Sequence, residues 1–490
     1  MTSIKIPRCM STQHPDNANQ PKFVKNPETL RGKDEVYEAF HAYSRLGCDE
    51  QMWDIEGKEA SRSVVRELLE ENPDFFKENK LGKDFRLTAR IPNPEYERVE
   101  QKVVLEILEN IPRSYDAANV FYGDGTAPIY EVILPMTTSS ESLERIYHYY
   151  KDYVSGKESH TPFDKTIGEW MGEIKPERVN VIPLIEKMEY MLKASDIVRD
   201  FLKKKDFKSQ RVFLARSDPA LNYGLIAAVL INKIALTRLQ KLDEEISTNI
   251  YPIIGAGSAP FRGNLTPDHI NETLEEYPSV QTFTIQSAFK YDYPKERSSK
   301  SIEKLKKTLK KPMIPVNEKR SLSLIEKTRN DYRKKISKLE NIVNKIAQYS
   351  PSRRSRKLHI GLFGYSREVE SGNGNIKLPR AITFTASLYS IGIPPEIIGF
   401  SALTDKDIEF LSENAYKKLL SDLQDAMQYY NENSLKKYPF LKEDVKKAKE
   451  YIDIKTNEEH KKITDQILKQ KTDNIKDKII KAAKIRKFLG

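Results

Sequence analysis

The stretch VNVIPLIEKMEYMLKASDIVRDFLKKKDFKSQRVFLARSD, residues 179–218, predicts a strand, a helix and a second strand in succession. Glu186 closes the first apolar run, and Asp218 follows the second. Because one strand–helix–strand step separates them, the two carboxylates would lie on neighbouring parallel strands at the same edge. The stretch therefore predicts an α/β fold with functional groups at the carboxyl ends of its strands.

Short apolar runs of this kind recur along the chain, each followed by a turn and a helical stretch. They are EQMWDI (50–55), DFRLTARI (84–91), IYEVILPM (129–136), VNVIPLIE (179–186), RVFLARS (211–217), NIYPIIG (249–255), SVQTFTIQ (279–286) and LHIGLFG (358–364). Eight strand–helix units predict a (β/α)8 barrel of the TIM type, with its active site where the strands end.

We expect the 490 residues to form a single barrel-based catalytic domain, with no internal repeat or low-complexity linker. The expected parts are an N-terminal segment over 1–48, a barrel over 49–399 and a helical C-terminal extension over 400–490. A Lys-rich helical insertion at about 295–355 is predicted to precede the eighth strand.

The composition excludes several classes of protein. Two cysteines, Cys9 and Cys48, exclude a disulfide framework and a multi-thiolate zinc site, and they indicate a reducing compartment. The N-terminus has no apolar signal segment, and polar residues such as Asn232 and Lys233 interrupt the best apolar stretch. We therefore expect a soluble cytoplasmic protein without a membrane partner.

The net charge of +11 is compatible with a nucleic-acid partner, an anionic substrate or a solvated surface. The basic excess lies in helical stretches such as SIEKLKKTLKKP, which contain almost no aromatic residues. Base stacking needs interleaved aromatic side chains, so we expect no nucleic-acid partner.

Glu186 and Asp218 are the candidate metal ligands. Two carboxylates without a cysteine cluster or paired histidines offer hard oxygen ligands, which suit Mg²⁺ or Mn²⁺. A solvated carboxylate at a strand end is the alternative interpretation of either residue.

The glycine-bearing stretch GAGSAPFRG, residues 255–263, is a candidate anion site. Gly255, Gly257 and Gly263 allow the backbone to approach a ligand, and the fork of Arg262 matches phosphate or carboxylate. The stretch lacks the Lys-Ser/Thr ending of a Walker A loop, which argues against a nucleotide site.

Further arginines are predicted at the barrel mouth. Arg380 opens the helix after the last run, where its charge adds to the positive end of the helix. Arg90 ends the second run, and prolines stop the strand just beyond it. Arg216 and Arg367 lie at the ends of the fifth and eighth runs and are predicted to bind substrate as well.

His14 lies in MSTQHPDN, residues 10–17, directly before Pro15. Proline disfavours the helical conformation for the preceding residue, so His14 should lie on extended or turning backbone with its ring exposed. If the segment folds over the barrel mouth, His14 supplies an acid or base at neutral pH. A simple surface histidine is the alternative.

These motifs resemble the phosphoenolpyruvate carboxylase family in its short, archaeal-type form. STQHPDN resembles the family's Thr-Ala-His-Pro-Thr-Glu motif, which carries the catalytic histidine. VIPLIEKMEYMLKASDIV resembles the family segment that carries the metal-binding glutamate, and RVFLARSDPALNYG resembles its Ser-Asp stretch. IIGAGSAPFRG is similar to the family's glycine-rich loop, and PRAITFTASLYSIGIPPEIIG is similar to its Arg-Ala-Ile segment. The ending IRKFLG resembles the family's C-terminal tail. Ile254, Ala256 and Leu221 depart from the family pattern, and Arg216 and Arg367 are candidates to replace the lost positive charge.

The resemblance implies irreversible carboxylation of phosphoenolpyruvate by bicarbonate, giving oxaloacetate and inorganic phosphate, an anaplerotic reaction. It implies His14, Arg262 and Arg380 as catalytic residues and Glu186 and Asp218 as ligands of Mg²⁺ or Mn²⁺. It also implies a homotetramer with a tail that folds back toward the barrel. Another metal-dependent barrel enzyme acting on phosphoenolpyruvate or pyruvate is the alternative, and such an enzyme needs neither His14 nor bicarbonate.

Overall fold

Eight parallel strands close into a barrel in the computed structural model, as the sequence predicts. The structure describes residues 5–24, 29–56, 60–97, 101–354, 366–371, 374–469 and 474–490, with the backbone alone for 366–371 and 374–375. The barrel strands are β1 (Cys9–Ser11), β2 (Glu50–Asp54), β3 (Arg86–Arg90), β4 (Glu131–Leu134), β5 (Asn180–Ile185), β6 (Ser209–Ala215), β7 (Asn249–Gly255) and β8 (Thr282–Ile285).

The first strand of the barrel was not predicted from the sequence. β1 pairs with both β2 and β8 and so closes the barrel, whereas the predicted eighth run, 358–364, lies outside the described residues. The boundary at residue 48 was therefore wrong, because the barrel begins at Cys9. Three residues without β-branched side chains carry too weak a periodicity to be recognised as a strand.

The helices before the insertion lie between the barrel strands in the sequence, except the last, which follows β8. They are α1 (Lys33–His41), α2 (Val64–Glu71), α3 (Pro73–Glu78), α4 (Val103–Tyr122), α5 (Ser140–His148), α6 (Ile167–Met171), α7 (Met188–Met191), α8 (Ala194–Leu202), α9 (Ser217–Tyr223), α10 (Leu225–Glu245), α11 (Ile270–Glu276) and α12 (Ser287–Tyr291).

The helical insertion follows the last barrel strand instead of preceding it. It comprises α13 (Lys295–Lys307), α14 (Glu318–Ile336) and α15 (Glu340–Ala347), and an antiparallel hairpin of β9 (Ser366–Ser371) and β10 (Gly374–Pro379) comes after it. The remaining helices are α16 (Ala381–Ser390), α17 (Asp405–Phe410), α18 (Leu419–Met427), α19 (Glu432–Lys437), α20 (Lys442–Lys449), α21 (Glu458–Leu468) and α22 (Ile475–Arg486).

The barrel interior has an apolar part and a charged floor. Met10, Met52, Ile133, Ile182, Leu184, Phe213, Ala215 and Ile253 pack together as the apolar part. Near the amino-terminal ends of the strands, Arg211 donates to Glu50 Oε1 and Oε2 at 2.7 and 2.6 Å and to Glu131 Oε2 at 3.2 Å. Arg86 pairs with Glu131 at 2.7 Å, so two cations balance two anions. A buried network of this kind is stable only while every charge has its partner.

The long apolar helix α10 is buried because it packs between the barrel and α14. Its buried polar residues are paired: Asn232 donates to the Ala215 carbonyl at 3.1 Å, and Lys233 meets Glu276 at 2.7 Å. Among the described helices, none combines the length and the apolarity needed to cross a bilayer.

The C-terminal extension returns the end of the chain to the barrel mouth. Phe488 packs in a small buried cluster with Ala259, Ala288, Tyr389, Ala426 and Tyr429. These residues come from the β7 loop, α12 and the C-terminal helices, so the cluster fixes the last residues against the loops above the barrel.

Candidate active site

One cavity opens at the C-terminal ends of the barrel strands. Its polar lining residues are His14, Glu56, Arg90, Glu186, Arg216, Ser217, Asp218, Arg262, Gln286 and Arg380, and the others are Leu184, Phe213, Ala215, Gly255, Ala381 and Ile382. The predicted residues among them, His14, Arg90, Glu186, Arg216, Asp218, Gly255, Arg262 and Arg380, come from distant parts of the chain. Because the strands are parallel, their carboxyl ends bring all of these residues except Arg380 to one place. Arg380 reaches the cavity from the amino end of α16 instead.

His14 belongs to the loop that follows β1, and its ring is half-buried at the cavity wall. Its Nδ1 lies 3.4 Å from the hydroxyl of Thr12. Thr12 is fixed in turn, because its N–H donates to the Ile285 carbonyl at 3.0 Å and Lys290 donates to its carbonyl at 2.8 Å. The histidine is thus held at the mouth by the loop that follows a barrel strand. It does not lie on a separate N-terminal segment that folds over the mouth, as the sequence had suggested.

Glu186 follows β5 and is largely buried. Its Oε2 accepts a hydrogen bond of 3.1 Å from the N–H of Met136, in the loop after β4. Met136 has a φ of 53°, which is uncommon for a residue with a side chain. Asn93 supports this conformation by donating to the carbonyls of Pro135 and Met136 at 2.8 and 3.4 Å.

The donor set fits a hard divalent cation. Glu186 and Asp218 line the same cavity, and Asp218 lies in the first turn of α9, directly after β6. In the part of the chain that the structure describes, no cluster of three or more histidine, cysteine, aspartate or glutamate side chains can hold a metal. Two carboxylates would leave most positions of an octahedral ion to water and substrate oxygens, as is usual for Mg²⁺.

Arg90 is the last residue of β3 and is held by two carboxylates. Its Nε and Nη2 donate to Asp54 Oδ1 and Oδ2 at 2.8 Å each, and Nη2 lies 3.1 Å from Glu56 Oε2. Burial by itself would lower the pKa of Arg90, but the charges of Asp54 and Glu56 outweigh burial and raise it. The guanidinium is therefore permanently charged and fixed in orientation at the cavity wall.

Arg262 reaches the cavity from the loop after β7 and is 2% exposed, although it is a cation. Its Nε donates to Ser217 Oγ at 3.1 Å and its Nη2 to Gln286 Oε1 at 2.5 Å. Its Nη1 contacts Asp16 Oδ2 at 3.4 Å and the main-chain oxygen of Gly490. Burial lowers the pKa of Arg262, while Asp16 and Asp218 oppose that shift.

The three predicted glycines have different surroundings. Gly255 lines the cavity at the end of β7. A Cβ on Gly257 would lie 2.8 Å from Cζ of Arg262, so the missing side chain makes room for the guanidinium. Gly263 has a φ of 126°, which favours glycine, and lies against Ala256. Gly257 and Gly263 thus shape the loop that carries Arg262. Gly255 is the glycine whose backbone can approach a ligand directly.

The other predicted arginines also differ in what they contact. Arg216 is buried, and its Nη1 donates to the Phe261 carbonyl at 3.2 Å, so it supports the same loop. Arg380 is the N-cap of α16, and Ala381 in the first turn lines the cavity beside it. The backbone of Arg367 pairs with Leu378 in the β9–β10 hairpin, not at the end of a barrel strand, and its side chain lies outside the described residues.

Three residues that surround Arg262 were not predicted from the sequence. Gln286 follows β8 directly and lines the cavity, so the rule that functional side chains follow the strands would have found it. Ser217 is the second residue after β6, so the same rule would have found it. Asp16 is part of the quoted MSTQHPDN motif, but nothing local in the sequence shows that its carboxylate meets an arginine from the β7 loop.

Comparison with known proteins gives one consistent result. A family model described as phosphoenolpyruvate carboxylase matches residues 6–490. A protein named phosphoenolpyruvate carboxylase from Methanothermobacter thermautotrophicus is 50% identical over 99% of this chain and 100% of its own length. Proteins of the same name from Methanospirillum hungatei and Pyrococcus furiosus are 52% and 50% identical, each over 99% of this chain and 100% of its own length.

Proposed function

The chain belongs to the phosphoenolpyruvate carboxylase family, and from this premise we propose how the cavity at its barrel mouth carries out the family's reaction. The enzyme converts phosphoenolpyruvate and bicarbonate into oxaloacetate and inorganic phosphate. The observation that supports our assignment of roles is that one cavity is lined by two carboxylates, a histidine and several arginines. The cavity can thus bind an anionic substrate and a divalent cation, and it contains a group that can accept a proton.

Glu186 and Asp218 are the proposed ligands of Mg²⁺ or Mn²⁺. The cation, when bound, supplies a Lewis acid for the phosphate and enolate oxygens. The carboxylate of Glu186 is held in orientation by the Met136 N–H. Asp218 is carried on the first turn of α9, whose amino end begins at the cavity.

Arg262, Arg380 and Arg90 are the proposed binding groups for the phosphate and carboxylate of the substrate. Each lines the cavity, and together they bring positive charge from the β7 loop, the start of α16 and the end of β3. Bicarbonate attacks the phosphorus, giving carboxyphosphate and the enolate of pyruvate. Positively charged donors stabilise the migrating phosphoryl group, and loss of one such donor typically raises the barrier by about 3 kcal/mol.

His14 is the proposed base for the second half of the reaction. It takes the proton of carboxyphosphate, which then divides into CO2 and inorganic phosphate, and the enolate carbon captures the CO2. In the tautomer whose Nδ1–H donates to the Thr12 hydroxyl, Nε2 of His14 is the nitrogen that takes the incoming proton. Water has to be kept away, because protonation of the enolate gives pyruvate instead.

The activity test is oxaloacetate formation coupled to malate dehydrogenase, with Mg²⁺, phosphoenolpyruvate and bicarbonate, for wild type, His14→Asn and Asp218→Asn. We expect bicarbonate-dependent activity in wild type and its loss in both variants. Phosphate release is measured in parallel. Release of phosphate without oxaloacetate in wild type would contradict the carboxylase assignment and the role of His14.

We also propose that the enzyme is a cytoplasmic homotetramer, as the resemblance implies. The exposed aromatic side chains of Phe163 and Trp170, 92% and 66% exposed, offer apolar surface for contact between copies. Light scattering on a sizing column is expected to give the mass of four chains. Cell fractionation tests the location.

A further inference from the structure

The residue that connects the parts of this site is Asp16, two positions after His14. Its side chain is fully buried and does not line the cavity. Its Oδ1 accepts a hydrogen bond of 2.8 Å from the N–H of Ala288, at the start of α12. Its carbonyl accepts a hydrogen bond of 2.6 Å from the N–H of Leu489, near the end of the chain.

The other carboxylate oxygen of Asp16 faces the guanidinium of Arg262. Oδ2 lies 3.4 Å from Nη1, the nitrogen that also donates to the main-chain oxygen of Gly490. The remaining acceptors of Arg262, Ser217 Oγ and Gln286 Oε1, are neutral. Asp16 therefore supplies a negative side chain for a guanidinium that is buried with it, and a buried charge needs such a partner.

We propose that Asp16 is a positioning residue, whose carboxylate holds the Arg262 guanidinium in place relative to His14 and to the C-terminal residues 489–490. The proposal rests on the roles proposed above for His14 and Arg262. Three connections support it: the short chain from His14 to Asp16, the Asp16–Arg262 pair and the Asp16–Leu489 hydrogen bond. Displacement of Asp16 would therefore affect His14, Arg262 and the C-terminal residues together.

The carboxylate also competes with the substrate for Arg262. In wild type the guanidinium has a fixed internal partner, so it can stabilise the migrating phosphoryl group without binding the ground-state anion at full strength. Without that partner, Arg262 should bind the substrate anion more tightly but from a less suitable position. Both kcat and the KM for phosphoenolpyruvate should then fall.

The decisive variant is Asp16→Asn, because an asparagine can still accept from Ala288 while it removes the charge beside Arg262. We expect kcat to fall at least about tenfold and KM for phosphoenolpyruvate to fall about threefold. In an Arg262→Lys background the same substitution should change kcat/KM less than about twofold, because residues that act through one another are not additive. Equal effects in both backgrounds would overturn the proposal.

The matched control is Asp292→Asn. Asp292 is also buried and holds the same loop, accepting from the N–H groups of Ala18 and Asn19 at 2.7 Å each. We expect it to leave KM unchanged even where it lowers the melting temperature. A similar fall in KM for Asp292→Asn, or an Asp16→Asn protein without cooperative melting, would assign Asp16 to loop folding and overturn the proposal.

Calorimetric titration with phosphoenolpyruvate separates this proposal from the proposed function, because it needs no turnover. We expect Asp16→Asn to bind phosphoenolpyruvate about threefold more tightly than wild type, and unchanged or weaker binding would overturn the proposal. A wild type that binds phosphoenolpyruvate but forms no oxaloacetate would instead contradict the function.

Discussion

The N–H of Met136 donates a hydrogen bond of 3.1 Å to Oε2 of Glu186, from a residue whose φ is 53°. The loop after β4 thus adopts an unfavourable backbone conformation while it orients a proposed metal ligand that directly follows β5. Asn93, from the loop after β3, donates to the carbonyls of Pro135 and Met136 and stabilises that conformation.

Replacement of Asn93 by Ala should therefore weaken metal binding. Groups that orient a ligand typically contribute 10- to 100-fold to metal affinity, and we expect the Mg²⁺ concentration for half-maximal activity to rise about tenfold. Met136→Gly is the control, because glycine adopts positive φ without strain and keeps the N–H. It should change that concentration less than about twofold. Unchanged Mg²⁺ dependence in Asn93→Ala would refute the orienting role.

Gly490 is packed too tightly for any side chain. A Cβ on this residue would overlap the carbonyl oxygen of Ile382 in α16, and the main-chain oxygen of Gly490 accepts a hydrogen bond from Arg262. Gly490→Ala should displace the tail and remove one acceptor of Arg262, so we expect kcat/KM to fall at least about tenfold, with the melting temperature nearly unchanged.

Lys487→Gly is the control within the same tail. Lys487 has a φ of 61°, where glycine is favoured, so this substitution should keep activity within about twofold of wild type. Steady-state kinetics and thermal melting of both variants make the comparison. Full activity in Gly490→Ala would show that the contact between the tail and Arg262 is dispensable.

The barrel and most of its strands could be predicted because long alternating or apolar runs carry a local signal. The runs from EQMWDI to SVQTFTIQ became β2 to β8, and residues at their ends line the cavity. β1 could not be predicted, since a strand of three residues is defined by its neighbours β2 and β8 and not by its own pattern. This error moved His14 from a barrel loop into a supposed separate segment.

The contacts of Arg262 also could not be predicted from local sequence. Asp16 and Gly490 lie 246 and 228 positions away from it in the chain, and only the closed barrel brings them together. The family resemblance implied that the tail returns to the barrel, and the packing of Phe488 against Tyr389 is consistent with that expectation.

Glu396 makes the stability of the folded protein depend on pH. It is buried, and it accepts hydrogen bonds from the Phe261 N–H at 2.6 Å and the Tyr389 hydroxyl at 2.7 Å. Burial raises the pKa of Glu396 from 4.5 to about 7, even though both hydrogen bonds favour the charged form. Because the unfolded chain releases this proton more readily, the folded state loses stability as the pH rises from about 4.5 to about 7.

Glu396→Gln should therefore raise the melting temperature at pH 8 relative to wild type and leave it nearly unchanged at pH 4.5. The difference in free energy of unfolding is on the order of 3 kcal/mol at most. Melting of both proteins across this pH range isolates Glu396, because all other titrating groups are shared. A difference that is constant with pH would contradict the raised pKa.

Arg211 holds the charged floor of the barrel, at the end opposite the cavity. It is fully buried and pairs with Glu50 and Glu131 at 2.6 and 3.2 Å. Arg211→Met would leave Glu50 and Glu131 with Arg86 as their remaining cation in this network, and removal of one partner from a buried pair typically costs about 3–5 kcal/mol. We expect a large fall in melting temperature, with KM of the folded protein unchanged.

The control is Arg199→Ala, whose partner Glu245 is 55% exposed and whose loss should cost less than about 1 kcal/mol. Equal melting of the two variants would mean that the floor contributes no more than a surface ion pair.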